Sequence, residues 1–301
     1  MICVGKTARV AERWINFRLM NLKAFDASRR YFREIDKLHL KPETGRTLAE
    51  IGIEITENLR KIEGLMRSKK INPLVRVRSS EKTADICLRR AKREVRLGVI
   101  GGTFDPIHYG HICLALEAII ECRLDTVIFT PGGDMPNYPD YKPGKQASEL
   151  RHLIAREALK PFYPILRYSP LGMEHHDIGN SDLSLEILRL NPKPGIKLFY
   201  LCGGDTVAGN MKCIGRRVKE LGIENTEITF VVRNRMKFPV PPFDKRMMPS
   251  WDVVWIKRDE PWGLSSSQTC LDISENIIFV PFGAQAAIEK AGSYKGGTRK
   301  E

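Results

Sequence analysis

The sequence predicts an α/β protein: an open, doubly wound parallel sheet with helices on both faces, preceded by a helical N-terminal extension. Three observations carry this. From residue 97 onward, short apolar runs the length of one buried strand alternate with amphipathic stretches, the pattern of parallel strands joined by crossover helices. Three of those runs end directly in glycine-bearing turns, Gly101-Gly102, Pro131-Gly132-Gly133 and Gly203-Gly204-Asp205. In an open parallel sheet the turns beyond the carboxyl ends of the strands gather on one rim, where ligands bind. Finally, residues 1–96 carry 24 Lys and Arg against 12 Asp and Glu, whereas residues 97–301 carry 25 against 24. Nearly all of the net charge of +13 therefore precedes the first glycine turn, which separates a basic extension, 1–94, from the α/β domain, 95–301.

Taken in order, Val10 to Phe25 and Leu48 to Met66 repeat apolar residues at spacings of three and four and predict helices. Lys41 to Gly45 is read as the break between them, with Thr47 as the second helix's N-cap, and Asn72-Pro73 as the next break. Leu74 to Val95 is rich in arginine. Strands are predicted at Leu97–Ile100, Thr126–Thr130, Ile165–Tyr168, Lys197–Cys202, Ile228–Val232 and Val253–Ile256. Helices are predicted at Ile112–Cys122, Ala147–Leu159, Leu183–Leu190 and within Thr206–Leu221, the last interrupted or begun late around Gly209. Arg233 to Pro249, rich in proline and charge, reads as loop, and Leu264 onward as loop and short helices.

Composition narrows the function classes. No apolar run approaches the roughly 20 residues that cross a bilayer. Seven cysteines are scattered with no C-x-x-C pair, which argues for buried, reduced thiols in a cytoplasmic protein and against a zinc site. The basic extension reads as a solvated helical appendage or as a contact for RNA or an acidic partner. Its first twenty-odd residues, acid-poor and amphipathic, also fit a targeting peptide.

The chemistry centres on Leu97 to His111, LGVIGGTFDPIHYGH. A strand, two glycines and then a helix N-terminus make an anion site, because free backbone N–H groups and the helix dipole converge there. His108 and His111, three residues apart, lie on nearly the same side of the first helical turn. GGTFDPIHYGH closely resembles the GGTFDPxHxGH signature of nicotinate and nicotinamide mononucleotide adenylyltransferases, members of the HxGH nucleotidyltransferase superfamily with its Rossmann-like fold. The resemblance covers about residues 96–294.

That resemblance implies transfer of AMP from ATP to the 5′-phosphate of a mononucleotide, with magnesium held between the ATP phosphates and no metal ligand from the protein. It implies that His108 and His111 contact the phosphates and that the backbone of Gly101, Gly102, Thr103, Phe104 and Gly110 lies against them. Asp205, in a G-x-D-[ST]-like turn, is implied to contact the adenylate ribose. Lys142, Lys145, Arg151 and Ser181 fall where the family holds its acceptor, Arg151 being read equally as a structural ion-pair partner. Ser265, Ser266 and Ser267 keep the hydroxyl half of an I-S-S-T-x-x-R motif, but Cys270 stands at its arginine position and cannot form a charge-assisted bond. The expected function is thus NAD synthesis, in a chain that can also form homo-oligomers. Two alternatives stand beside it: a relative acting on phosphopantetheine or a polyol phosphate, and a catalytically weakened nucleotide- or RNA-binding protein.

Overall fold

The computed structural model describes residues 41–75, 77–82, 94–134, 145–175, 178–191, 195–223, 226–235, 251–260, 262, 264 and 277–292. The helix expected over Val10–Phe25, the basic residues 83–93, Lys142, Ser265 to Ser267 and Cys270 lie outside them.

Helix α1 (Pro42–Arg67) is amphipathic, and Leu48, Ile51, Ile55, Ile62 and Met66 form its buried stripe. It starts five residues before the expected cap. Pro42 opens the helix rather than breaking it, as proline can where its missing N–H has no partner to lose. Thr47 is inside the helix, its hydroxyl donating to the Glu43 carbonyl at 3.0 Å. Helical structure ends at Arg67, and residues 71–75 and 77–82, with a turn at Pro73-Leu74, run along the domain. Arg167 donates to the Pro73 and Val75 carbonyls, and Ser169 to Ser79. This strap thereby covers β3 (Leu166–Tyr168), an edge strand that would otherwise present unpaired backbone groups.

The other strands are β1 (Val95–Gly102), β2 (Thr126–Pro131), β4 (Ile196–Gly203), β5 (Ile228–Arg235) and β6 (Trp251–Glu260). All neighbours pair in parallel, in the order β3-β2-β1-β4-β5-β6. The chain reverses its direction of growth between β1 and β4, which sets a crevice beyond the carboxyl ends of those two strands. Strand β1 runs from Val95 through Gly101 and Gly102, beyond the expected Leu97–Ile100, and the last two strands are longer than expected as well; β5 continues through Arg233 and Asn234, because pairing with β6 carries it past the apolar run.

Helices α2 (Tyr109–Cys122), α3 (Ser148–Leu159) and α7 (Phe282–Ala291) join α1 on one face, over Ile100, Phe129, Phe199, Leu201 and Val231. Helices α4 (Leu171–Glu174), α5 (Leu183–Leu190) and α6 (Val207–Glu220) cover the other, over Leu97, Val99, Leu198, Tyr200 and Phe230. Alternate strand residues therefore feed two cores, as expected of a sheet buried on both sides. The stripe of α1 belongs to the same apolar cluster as α2 and α3, so packing runs across the compositional boundary at residue 94. Gly209 does not interrupt α6; it lies on the exposed side, with open space where a Cβ would stand.

Candidate functional site

The site grows from the end of β1. After Gly102 the chain turns through Thr103 and Phe104, and Phe104 takes a left-handed backbone, φ 46°. That conformation costs a residue with a Cβ roughly 1–2 kcal/mol, and burial of the Phe104 ring offsets it. The ring lies 5.7 Å from Phe129 and meets the His111 ring edge-on at 5.0 Å. His108 is extended and caps α2, and the helix runs from Tyr109.

The two imidazoles come together, ring centroids 3.8 Å apart. They are not equivalent. His111 is half-buried at the rim, whereas His108 is 1% exposed and lies beneath it. Both rings were expected to face a triphosphate; in this conformation only His111 reaches the surface. Its Nδ1 accepts the backbone N–H of His108 at 3.2 Å. An accepting Nδ1 has no proton, so the proton of the neutral ring is on Nε2. Gly110 between them keeps the approach close, since a Cβ there would stand 3.0 Å from two atoms of the His108 ring.

The second glycine turn abuts the first, with Gly132 N–H donating to the Gly102 carbonyl at 2.9 Å. Arg151 organises both turns. Its side chain is fully buried, and its five N–H groups reach the carbonyls of Gln146, Thr103, Gly132 and Gly133 and the carboxylate of Asp134, at 2.6–3.2 Å. A guanidinium has five donors, so none is left for a ligand. Of the two readings of Arg151, the structural ion pair is the one formed, with Asp134 at 3.0 Å, and the side chain is a buried clamp on the rim. Asp134 in turn accepts the Ser148 N–H at the start of α3, 2.9 Å. Burial pushes the Asp134 carboxyl up, but Ser148 and the Arg151 charge outweigh it and hold it below the usual range.

Lys145 is half-buried in the field of the same groups; burial and the nearby Arg151 charge lower its pKa against the pull of Asp134 and Asp105. Asp105 accepts the Gln146 N–H at 3.1 Å and so joins the histidine turn to the start of α3. Asp205 is exposed on the turn after β4, and Gly204 N–H donates to the Arg233 carbonyl at 3.0 Å.

Ser181 is buried, 6% exposed, its hydroxyl 3.5 Å from Asp182. Its neighbour Asn180 reaches both glycine turns. The Asn180 amide donates to the Thr103 hydroxyl at 3.3 Å. Its carbonyl oxygens lie where Cβ atoms on Gly101 and Gly132 would be, 2.2 and 1.5 Å from those positions. Sequence reasoning passed over Asn180 because glycines report only that something approaches, not which residue does.

The cytidylyltransferase-like family profile matches residues 99–269 of the chain. The chain belongs to that family. The match opens inside β1, takes in the histidine turn, and leaves α1 and α7 outside. Among cytidylyltransferase-like relatives, a probable nicotinate-nucleotide adenylyltransferase of Clostridium botulinum (strain Eklund 17B / Type B) is 36% identical over 114 residues, 36% of this chain and 52% of the relative. One of Clostridium perfringens (strain SM101 / Type A) is 32% identical over 156 residues, 50% of this chain and 67% of the relative. The chain thus spans about half the length of the first of these curated relatives. Among solved structures, Plasmodium falciparum nicotinic acid mononucleotide adenylyltransferase complexed with NaAD is 16% identical with a TM-score of 0.47, covering 66% of this chain and 97% of that one. No helix among the described residues is long and apolar enough to cross a membrane.

Proposed function

We propose that this nucleotidyltransferase transfers AMP from ATP to the 5′-phosphate of nicotinate or nicotinamide mononucleotide, releasing pyrophosphate, as a step of NAD synthesis. The observation that carries the reading is the pair of imidazoles at the N-terminus of α2, ring centroids 3.8 Å apart, with Nδ1 of the half-buried His111 accepting the His108 N–H so that the neutral ring keeps its proton on Nε2.

The chemistry needs no protein nucleophile. A phosphate oxygen of the mononucleotide attacks the α-phosphorus of ATP, the bond to the bridging oxygen breaks, and pyrophosphate leaves with that electron pair. Catalysis then consists of alignment and charge stabilisation. His111 Nε2–H donates to a phosphate oxygen whose negative charge grows as the bond breaks. The amides at the start of α2 add the dipole of a fourteen-residue helix. His108 backs the His111 ring, and the Arg151 clamp keeps the two glycine turns in register. Lys145, beside these turns, is the cation we assign to an incoming phosphate, and Asp205 the ribose contact. We read magnesium as arriving with ATP, on phosphate oxygens and water, where it would neutralise the polyanion.

The relatives named probable nicotinate-nucleotide adenylyltransferase support this choice of acceptor. A pyrophosphate-release screen tests it, offering ATP or CTP with nicotinate mononucleotide, nicotinamide mononucleotide or phosphopantetheine. The expected result is turnover with ATP and a pyridine mononucleotide. Turnover with phosphopantetheine alone, or with no acceptor at all, overturns the reading.

A further inference from the structure

Helix α1 lies outside the segment that matches the family, yet it reaches the histidine turn by two routes. The first is a buried charge cluster. Arg233, at the carboxyl end of β5, pairs with Glu54 of α1 at 3.2 Å and with Glu117 of α2 at 3.3 Å. All three residues are less than a tenth exposed. Ions removed from water this completely are stable only in a narrow geometry, so the cluster sets the position of α1, α2 and β5 relative to one another. Helix α2 carries both histidines at its start.

The second route runs along the chain after β6. The Arg233 guanidinium lies 5.6 Å from the centre of the Trp262 ring, and the Trp262 indole N–H donates to Glu50 of α1 at 3.2 Å. Two residues later, Leu264 is buried against the histidine turn: its Cβ would be 3.6 Å from a Cβ on Gly110, the glycine between the histidines. Glu50 and Glu54 are one helical turn apart on α1, and together they hold Trp262 and Arg233 at the back of the site.

We infer that α1 is a working part of the nucleotide site, with Glu54 a positioning residue that acts through Arg233 and Trp262 to seat Leu264 against the histidine turn and so align His111 with the ATP phosphates. The basic segment ahead of the family match is then not a detachable appendage: its helix α1 supports the reaction. This rests on the function proposed above.

The test compares wild type with Glu54→Gln, Glu54→Asp and Trp262→Leu, using the exposed Glu57→Gln on the same helix as control. Steady-state kinetics is measured for both substrates, ATP affinity by equilibrium dialysis, and folding by thermal melts. We expect kcat/KM for ATP to fall about 10–100-fold in Glu54→Gln and Trp262→Leu, the range seen when a supporting partner behind a ligand-binding residue is removed. The acceptor KM should stay within about twofold, Glu54→Asp should recover part of the loss, and Glu57→Gln should behave as wild type. Normal ATP kinetics in folded Glu54→Gln and Trp262→Leu overturns the inference, as does a loss matching the unfolded fraction. If wild type turns over no acceptor, the proposed reaction fails first. The dialysis arm then decides: weaker ATP binding in Glu54→Gln sustains the role of α1, and unchanged binding ends it.

Discussion

The backbone N–H of His108 donates to Nδ1 of His111 at 3.2 Å. One bond thus caps the helix and selects the tautomer that presents an N–H at the rim. The two roles separate by mutation. In His111→Asn the side-chain oxygen can replace Nδ1 as acceptor, but the Nε2–H is gone. The expected outcome is a kcat lowered by about 10²–10³, as for loss of one transition-state donor, with a near-native melting temperature. In His111→Ala the cap is lost too, costing about 1 kcal/mol more in stability. Pyrophosphate release and thermal melts report the two effects independently.

A Cβ on Gly132 would stand 1.5 Å from the side-chain oxygen of Asn180. Gly132→Ala should destabilise the protein by about 1–3 kcal/mol, the usual cost of overpacking. Asn180→Ala vacates that volume, so much of the loss should vanish in the double variant. Denaturant titration of the two single variants and the double measures the coupling, expected at about 0.5–3 kcal/mol for residues in contact. Additive costs would disprove the close approach.

Arg151 gives all five of its donors to the rim. Arg151→Ala leaves buried carbonyls without partners and should cost about 3–5 kcal/mol, while Arg151→Lys, with three donors, should fall between. Asp134 adds a pH dependence. Its folded carboxyl is held below the unfolded value by Ser148 and Arg151, despite the opposing effect of burial. The stability it contributes is therefore full above about pH 4, the unfolded value, and is lost as pH falls through the lower folded value. Urea melts at successive pH values should show a shallower acid decline for Asp134→Asn than for wild type.

Burial raises the thiol pKa of Cys122 to about 11 and of Cys202 to about 12, and raises Cys113 well above its ordinary value, with Glu54 the next cause there. A thiol that stays protonated and covered reacts slowly. Ellman's reagent followed by peptide mapping at pH 8 should therefore label Cys213, partly exposed, before these three, which should react only on unfolding. Early labelling of Cys113 would mean that the contact between α1 and α2 opens readily.

Much of this was readable from local pattern. The strand-glycine-helix order around Gly101 and the histidine spacing follow from short-range periodicity, which depends only on neighbouring residues. The six strands were located the same way, though not the length of β1, β5 and β6. Their ends depend on what pairs beside them. Pro42 was misread because proline breaks a helix at one position and starts one at another, and only the packing of α1 decides between them.

The sequence alone determined that apolar strands alternate with amphipathic helices and that two histidines stand at a helix start beyond paired glycines, because backbone preference and side-chain period act over a few residues. Tertiary structure decided what those residues do. It turned Arg151 inward, brought Asn180 against both glycine turns, and brought Glu54 to Arg233 across 179 residues of chain. Buried charges and close approaches are settled by which elements the sheet order makes neighbours. No local pattern records that order.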